Sequence, residues 1–286
     1  MRYRTDRDFR RALEERLRQR AEKESQPITR LRKRVVFERC MVRLQQYPNS
    51  PWVLKGGFAL ELRLGNMARM TNDMDLTADL DLFHADTTSL TTVSARLRED
   101  LQKENEDKFK FILAEDRNEQ LPTQGVKTFR FTVEARLDGR MFEAIKVDVG
   151  IGDPLIPPIE EIEASDLLSF AEIPIARIRA TSPAQHFAEK VHALTRPYND
   201  RINTRVKDLA DIMLLLNQGL PDTHAVRQCI DEVFSVRATH VTPNRIDAPP
   251  LTWASSYSAM AKELILNETT LDEATVRLND YWTKLF

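Results

Sequence analysis

The segment Lys127–Leu137, KTFRFTVEARL, alternates apolar and polar side chains along its length, and Asp138-Gly139 then leads toward a second β-rich run, residues 142–150, FEAIKVDVG. Alternation with a period of two marks a half-buried strand, and an Asp-Gly dipeptide between two such runs closes a hairpin. The chain is thereby committed to a sheet with a buried face. Within the second run, Asp148 sits between Val147 and Val149. A carboxylate is costly to bury without a partner, so this one is expected to face a site and not the core.

Around the hairpin the chain reads as α+β. The first 25 residues form a charged amphipathic helix with Phe9, Leu13 and Leu17 in one stripe, Gln26-Pro27 breaks it, and residues 28–46 form a second helix. Trp52–Lys55 reads as a short buried strand, Gly56-Gly57 as a sharp turn, residues 58–64 as a helix ended near Gly65, and residues 74–78 as a strand. After the proline-rich link of residues 153–158 the pattern is helical to the end, with no internal repeat. The expected organisation is basic N-terminal helices over 1–50 packing on the core, a mixed α/β core over 51–158, and a mainly helical domain over 159–286 that completes the site.

Two cysteines far apart, Cys40 and Cys229, exclude a disulfide framework and a cysteine-based zinc site and fit a reducing compartment. The charged start MRYRTDRDFRR does not read as a signal peptide, and no run approaches the roughly eighteen apolar residues of a membrane span. The expected location is the cytoplasm. Net charge is only -2, yet residues 1–50 hold 15 Lys+Arg against 7 Asp+Glu, which leaves 27 against 37 for the remainder. The basic segment is either a footprint for nucleic acid, with Arg16, Arg18 and Arg20 as candidate phosphate contacts, or a solvated helix face.

The chemistry-bearing residues cluster around Lys55-Gly56-Gly57 and Arg69-Met70-Thr71-Asn72-Asp73-Met74-Asp75. In an extended strand, residues i and i+2 share a face, so Asp73 and Asp75 present two carboxylates side by side. Such a pair needs a counter-cation, and hard oxygen ligands select Mg²⁺ or Mn²⁺ together with substrate phosphates. Asp148 is the candidate third ligand, which makes a two-metal phosphoryl-transfer centre conceivable. Gly56 and Gly57 lie between strand and helix, where absent side chains let phosphates approach free N–H groups; a plain tight turn explains them equally.

Further along, Ser182-Pro183-Ala184-Gln185 carries the signals of a helix start: Ser as N-cap, Pro at the first position and Gln closing a capping box. That helix, residues 183–196, directs Phe187, Val191 and Leu194 to one side and leaves Lys190 available to a site. A second helix, residues 205–217, buries Leu209, Ile212, Met213 and Leu216 and places Asp208 and Asp211 together. These charges are either site residues or ordinary surface charge on amphipathic helices.

A glycine turn, a DxD and a strand-borne Asp resemble the nucleotidyltransferase superfamily of the DNA polymerase β type. The ordered set GGFAL, RMTNDMDL, KVDV, HFAEKVHAL and RVKDLADIMLL is similar to the AbiEii/AbiGii toxin family, which includes the MenT-type toxins of type IV or related toxin–antitoxin systems. The resemblance covers about residues 52–216. It implies a nucleotidyltransferase-like core, an NTP substrate with Mg²⁺ (or Mn²⁺), transfer of nucleotides to the 3′ acceptor end of tRNA with a block of aminoacylation and translation, and a cognate antitoxin. By the same resemblance Asp73 and Asp75 are the metal-binding pair, Thr71 the hydroxyl before them, Lys190 the helix lysine, and Lys207, Asp208 and Asp211 the KDxxD. Gly57 departs from the superfamily, in which a serine often stands there.

On this reading Arg69 and Lys190 neutralise phosphate charge, Gly56 and Gly57 hold terminal phosphate oxygens, and Asp148 or Asp211 is the candidate base. Thr71 either binds a phosphate or is itself modified. Two rivals stand beside it: an NTP-dependent kinase or protein-modifying transferase on the same triphosphate site, and a non-catalytic nucleotide-binding module.

Overall fold

The computed structural model describes residues 2–83, 89–121, 126–198 and 203–286, with the backbone alone at 115–117. Helix α1 (Asp6–Lys23) starts where Thr5 caps the Asp8 N–H, carries Asp6 and Asp8 in its first turn and Arg20 and Lys23 in its last, and so complements its own dipole. Helix α2 is Ile28–Leu44, followed by β1 (Trp52–Lys55), α3 (Gly56–Leu64), β2 (Asp73–Ala78), the short α4 (Leu80–Phe83) and α5 (Leu90–Leu101). Then come β3 (Lys110–Leu121), β4 (Lys127–Leu137), β5 (Arg140–Ile151), β6 (Glu160–Glu163) and β7 (Arg177–Ala180). The helical remainder is α6 (Pro183–Thr195), α7 (Val206–Gln218), α8 (Thr223–Arg237), α9 (Ala254–Glu263) and α10 (Leu271–Leu285).

The expected α+β class is the observed one. Among the described residues the strands form one mixed sheet in the order β3-β4-β5-β2-β1-β7-β6. The hairpin is β4–β5, and Asp138 and Gly139 both take positive φ, 54° and 67°, as a two-residue turn between twisted strands requires. Strand β2 pairs parallel with β5 and antiparallel with β1, which in turn pairs parallel with β7. Strands β3, β6 and β7 and helix α5 are additions to the sequence expectation. β6 and β7 have four residues each, too few for periodicity to register, and they carry the sheet beyond the expected junction at 158/159.

Strand alternation sorts the sheet into two faces. Met74 and Leu76 of β2, Val147 and Val149 of β5, and Phe129, Phe131 and Val133 of β4 join Phe9, Leu13 and Leu17 of α1 and Val35 and Phe37 of α2 in one apolar core. A second core of Phe187, Val191, Leu209, Ile212, Met213, Ile230, Trp253 and Trp282 holds α6–α10 together. Burying these side chains drives the assembly at about 25 cal/mol per Å² of apolar surface. The odd-numbered partners of the β2 core residues, Asp73 and Asp75, are left on the opposite face, as is Asp148 of β5.

Both cysteines are buried and free, with burial pushing the Cys40 thiol up to about 12 and that of Cys229 up to about 11. Among the described residues no helix is long and apolar enough to cross a membrane.

Candidate active site

Register across the four central strands aligns Lys55 of β1 with Asp75 of β2, Asp75 with Asp148 of β5, and Asp148 with Arg130 of β4. Residues in register share a face, so the sheet presents a lateral row of cation, anion, anion, cation. Asp73 extends the row by one step along β2. Arg130 grips Asp148 with both ends of its guanidinium, Nε to Oδ1 at 2.7 Å and Nη2 to Oδ2 at 2.6 Å, and reaches Asp73 Oδ2 at 3.3 Å. Asp73 is the open member, 36 % of its side chain being exposed against 11 % for Asp148. Lys55 turns instead to Asp153, which also takes Arg237 at 2.9 Å, so β1 is tied to α8 by a buried carboxylate.

Asp75 carries the electrostatic load of this arrangement. Burial pushes its carboxyl up to about 6, and the neighbouring charges of Asp148 and Asp73 add to that against the opposing pull of Lys55 and Lys190. Among the described residues no donor is hydrogen-bonded to it.

Two glycines permit this packing. Gly56, at φ +64°, opens α3, and a Cβ there would lie 2.8 Å from Asp75 Cγ. A Cβ on Gly57 would lie 2.8 Å from Thr71 Oγ1, so Thr71 fills the space that a serine at 57 would use. The Thr71 hydroxyl donates to the Asp73 carbonyl at 3.1 Å and fixes the approach to β2. The first N–H groups of α3, whose N-terminus abuts Asp75, have no intrahelical partner.

The helical body supplies the opposite wall. Ser182 caps α6 by accepting from the Gln185 N–H, but the expected capping box does not close. The Gln185 side chain instead donates to Pro154 O and Glu189 and accepts from the Ile156 N–H, tying the proline-rich link to the helix. One turn on, Lys190 donates to Asp208 Oδ1 and Asp211 Oδ2, each at 2.7 Å, and Arg69 clasps Asp211 through Nε and Nη2, each at 2.9 Å. Burial by itself would lower the Lys190 pKa, but Asp208 and Asp211 outweigh it and raise it. Burial likewise would raise Asp211, and Lys190 and Arg69 outweigh it and hold the group below the ordinary carboxylate range. At neutral pH Asp211 is an anion that fixes two cations.

Between the walls lies a polar cleft of about 280 Å³, lined by Gly57, Arg69, Thr71, Asp73, Asp75, Lys190, Thr204, Arg205, Lys207 and Asp208 among others. The structure thus gathers most of the sequence-expected residues. Gly56 lies behind Asp75, and Asp148 stands next to it under Arg130. Asp211, considered as a base, has no exposed side-chain surface and is held by Arg69 and Lys190. Arg18 pairs with Glu15, Arg20 with Glu24 and Asp166, and Arg16 covers the Phe170 ring; none of the three lines the cleft.

Among the described residues no group of three or more His, Cys, Asp or Glu side chains is arranged to hold a metal ion. Asp148, expected as a third ligand, is held by Arg130. Asp73 and Asp75 remain, and two carboxylates with substrate phosphates and water suit a Mg²⁺-type cation. Arg130 had no signal in the sequence, because an arginine on the polar side of an alternating strand looks like ordinary surface until register places it opposite an acid.

A protein family described as "Nucleotidyl transferase AbiEii toxin, Type IV TA system" matches residues 39–283. Among solved structures, MenT4, a nucleotidyltransferase toxin from Mycobacterium tuberculosis H37Rv, aligns with a TM-score of 0.55 at 16% identity, over 96% of this chain and 98% of that one. At that identity the likeness is one of fold. No curated protein sequence matches.

Proposed function

The chain belongs to the AbiEii nucleotidyl transferase toxin family of type IV toxin–antitoxin systems, and from that premise we propose that it adds nucleotides from an NTP to the 3′ end of tRNA, using Mg²⁺, and so blocks aminoacylation and translation. The family implies an NTP substrate and a cognate antitoxin. The observation that carries the reading is the meeting, in one cleft, of Asp73 and Asp75 with the α3 N-terminus on one side and Lys190 and Arg69 on the other.

Asp73 and Asp75 would hold the cation, which when bound supplies charge neutralisation and orientation for the triphosphate. The N–H groups at Gly57 and the following residue bind terminal phosphate oxygens. Lys190 and Arg69, immobilised by Asp211, point fixed positive charge at the phosphates where negative charge develops, and exposed Lys207 guards the mouth. The RNA 3′-hydroxyl attacks the α-phosphorus, its bond to that phosphorus forms as the bond to the β-phosphate oxygen breaks, and pyrophosphate leaves. The hydroxyl proton passes toward the acids of the sheet row.

The test is to incubate the protein with Mg²⁺, total tRNA and each α-³²P-labelled NTP in turn, beside Asp75→Ala. Label on tRNA that is lost in the variant supports the proposal and identifies the nucleotide. A second reading, self-modification, draws on Thr71, which lines the same cleft. Label on the protein itself, lost in Thr71→Val, would replace the first reading with the second; no label on any acceptor would sink both.

A further inference from the structure

The sheet row contains a cation where a two-metal centre would need a free carboxylate. We propose that Arg130 takes the place of a second metal ion, so that the row holds a single divalent cation, between Asp73 and Asp75. The inference rests on the nucleotidyl-transfer reading of this site and specifies how its charge is balanced.

Three observations carry it. First, both Asp148 oxygens are taken by one guanidinium, at 2.7 and 2.6 Å, and the same Nη2 extends to Asp73 at 3.3 Å. Bidentate geometry of this kind is the strongest form of arginine–carboxylate pairing, and the guanidinium keeps its charge at any working pH. Second, the pair is built by the backbone: Arg130 and Asp148 stand directly opposite each other in the β4–β5 ladder, which fixes where the guanidinium can lie. Third, the other cations nearby are committed elsewhere, Lys55 and Arg237 to Asp153, and Lys190 and Arg69 to Asp211.

Charge balance then decides the number of ions. Asp73, Asp75 and Asp148 carry three negative charges, which Arg130 and one divalent cation match. A second divalent cation would leave the row at +2 and would sit against a fixed guanidinium, at a separation where like charges repel strongly, whereas without Arg130 the same two ions leave +1 and both Asp148 oxygens are free to ligate. A two-metal site here therefore requires Arg130 to be removed.

The experiment is a Mn²⁺ titration of the full chain without nucleotide, read by electron paramagnetic resonance of the free ion, for the native protein, Arg130→Gln and Arg130→Lys, with thermal unfolding recorded for each. The native protein and Arg130→Lys, which keeps the charge, are expected to bind one Mn²⁺ per chain, and Asp73→Ala none. Arg130→Gln is expected to bind two, the first on the order of tenfold more tightly. Two ions on the native protein, or a folded Arg130→Gln with one ion at native affinity, would overturn the proposal. If Arg130→Gln fails to fold, the native and Arg130→Lys counts decide it, with two ions on either overturning it. A native protein that binds no Mn²⁺ also overturns it, and the tRNA-labelling assay then reports separately on the transfer reading.

Discussion

Asp211→Asn is the sharpest test of how the helical wall is held. The carboxylate has no exposed surface and accepts three charge-assisted hydrogen bonds, two from Arg69 at 2.9 Å and one from Lys190 at 2.7 Å. Asparagine keeps the shape but removes the charge and turns one acceptor into a donor that faces a cation. Breaking a buried ionic network from one side costs about 3–5 kcal/mol, and the acceptor that survives places this variant near about 3 kcal/mol. For a chain of this size that corresponds to about 6–12 °C in melting temperature. Urea unfolding followed by tryptophan fluorescence should show a lower midpoint with an unchanged slope. The pH dependence gives a second reading. Because Asp211 is held below the ordinary carboxylate range, its contribution is complete above the unfolded value of about 4 and is lost as pH falls through the folded value. The gap between native and variant should be constant from about pH 5 to 8 and shrink below about 4. A gap under about 1 kcal/mol at neutral pH, or one that widens on acidification, would refute the buried-anchor argument.

Gly57→Ala should cost about 1–3 kcal/mol because its Cβ would meet Thr71 Oγ1 at 2.8 Å. Adding Thr71→Ala should recover part of that loss, and strictly additive effects in a double-mutant cycle would contradict the contact. His192, buried against Phe234 and hydrogen-bonded with Thr239, has its pKa lowered to about 3, chiefly by burial, with Arg237, His240 and Arg196 adding to the effect. The unfolded chain therefore takes up a proton near pH 6.5 that the folded one refuses, so stability should fall as pH drops from about 6.5 and level off above about 7. His192→Gln should lessen that slope, and urea midpoints that rise on acidification would be incompatible with a buried neutral ring. Asp107→Asn, which removes the fully buried partner of Arg39 and Arg43 on the far side of the sheet, should cost about 3–5 kcal/mol while leaving NTP affinity intact. A changed NTP affinity in a folded variant would show that the two faces are coupled.

What could be read in the amino-acid order was local. Phe9, Leu13 and Leu17 announce the buried stripe of α1, alternation announces β4, and Asp138-Gly139 announces its turn, because each depends on side chains within a few residues. The pairing of Asp73 with Asp75 on one face, the glycine turn beside them, and the availability of Lys190 likewise follow from strand and helix periodicity. Among the missed elements, β6 and β7 have only four residues each, and Gln185 passes over its own helix cap to bind a loop about thirty residues earlier.

The sequence by itself determined, through periodicity, that Asp73 and Asp75 share one strand face and that Lys190 lies off the apolar stripe of its helix. Only the tertiary structure decided how those groups are partnered. The parallel pairing of β2 with β5 joins residues about seventy apart, and it alone sets Asp75 beside Asp148; the β4–β5 register then brings in Arg130. Packing of α6 against α7 in the same way buries Asp211 against Lys190 and Arg69. The physical reason is that charge–charge energies depend on separation and burial, and neither is a property of spacing along the chain.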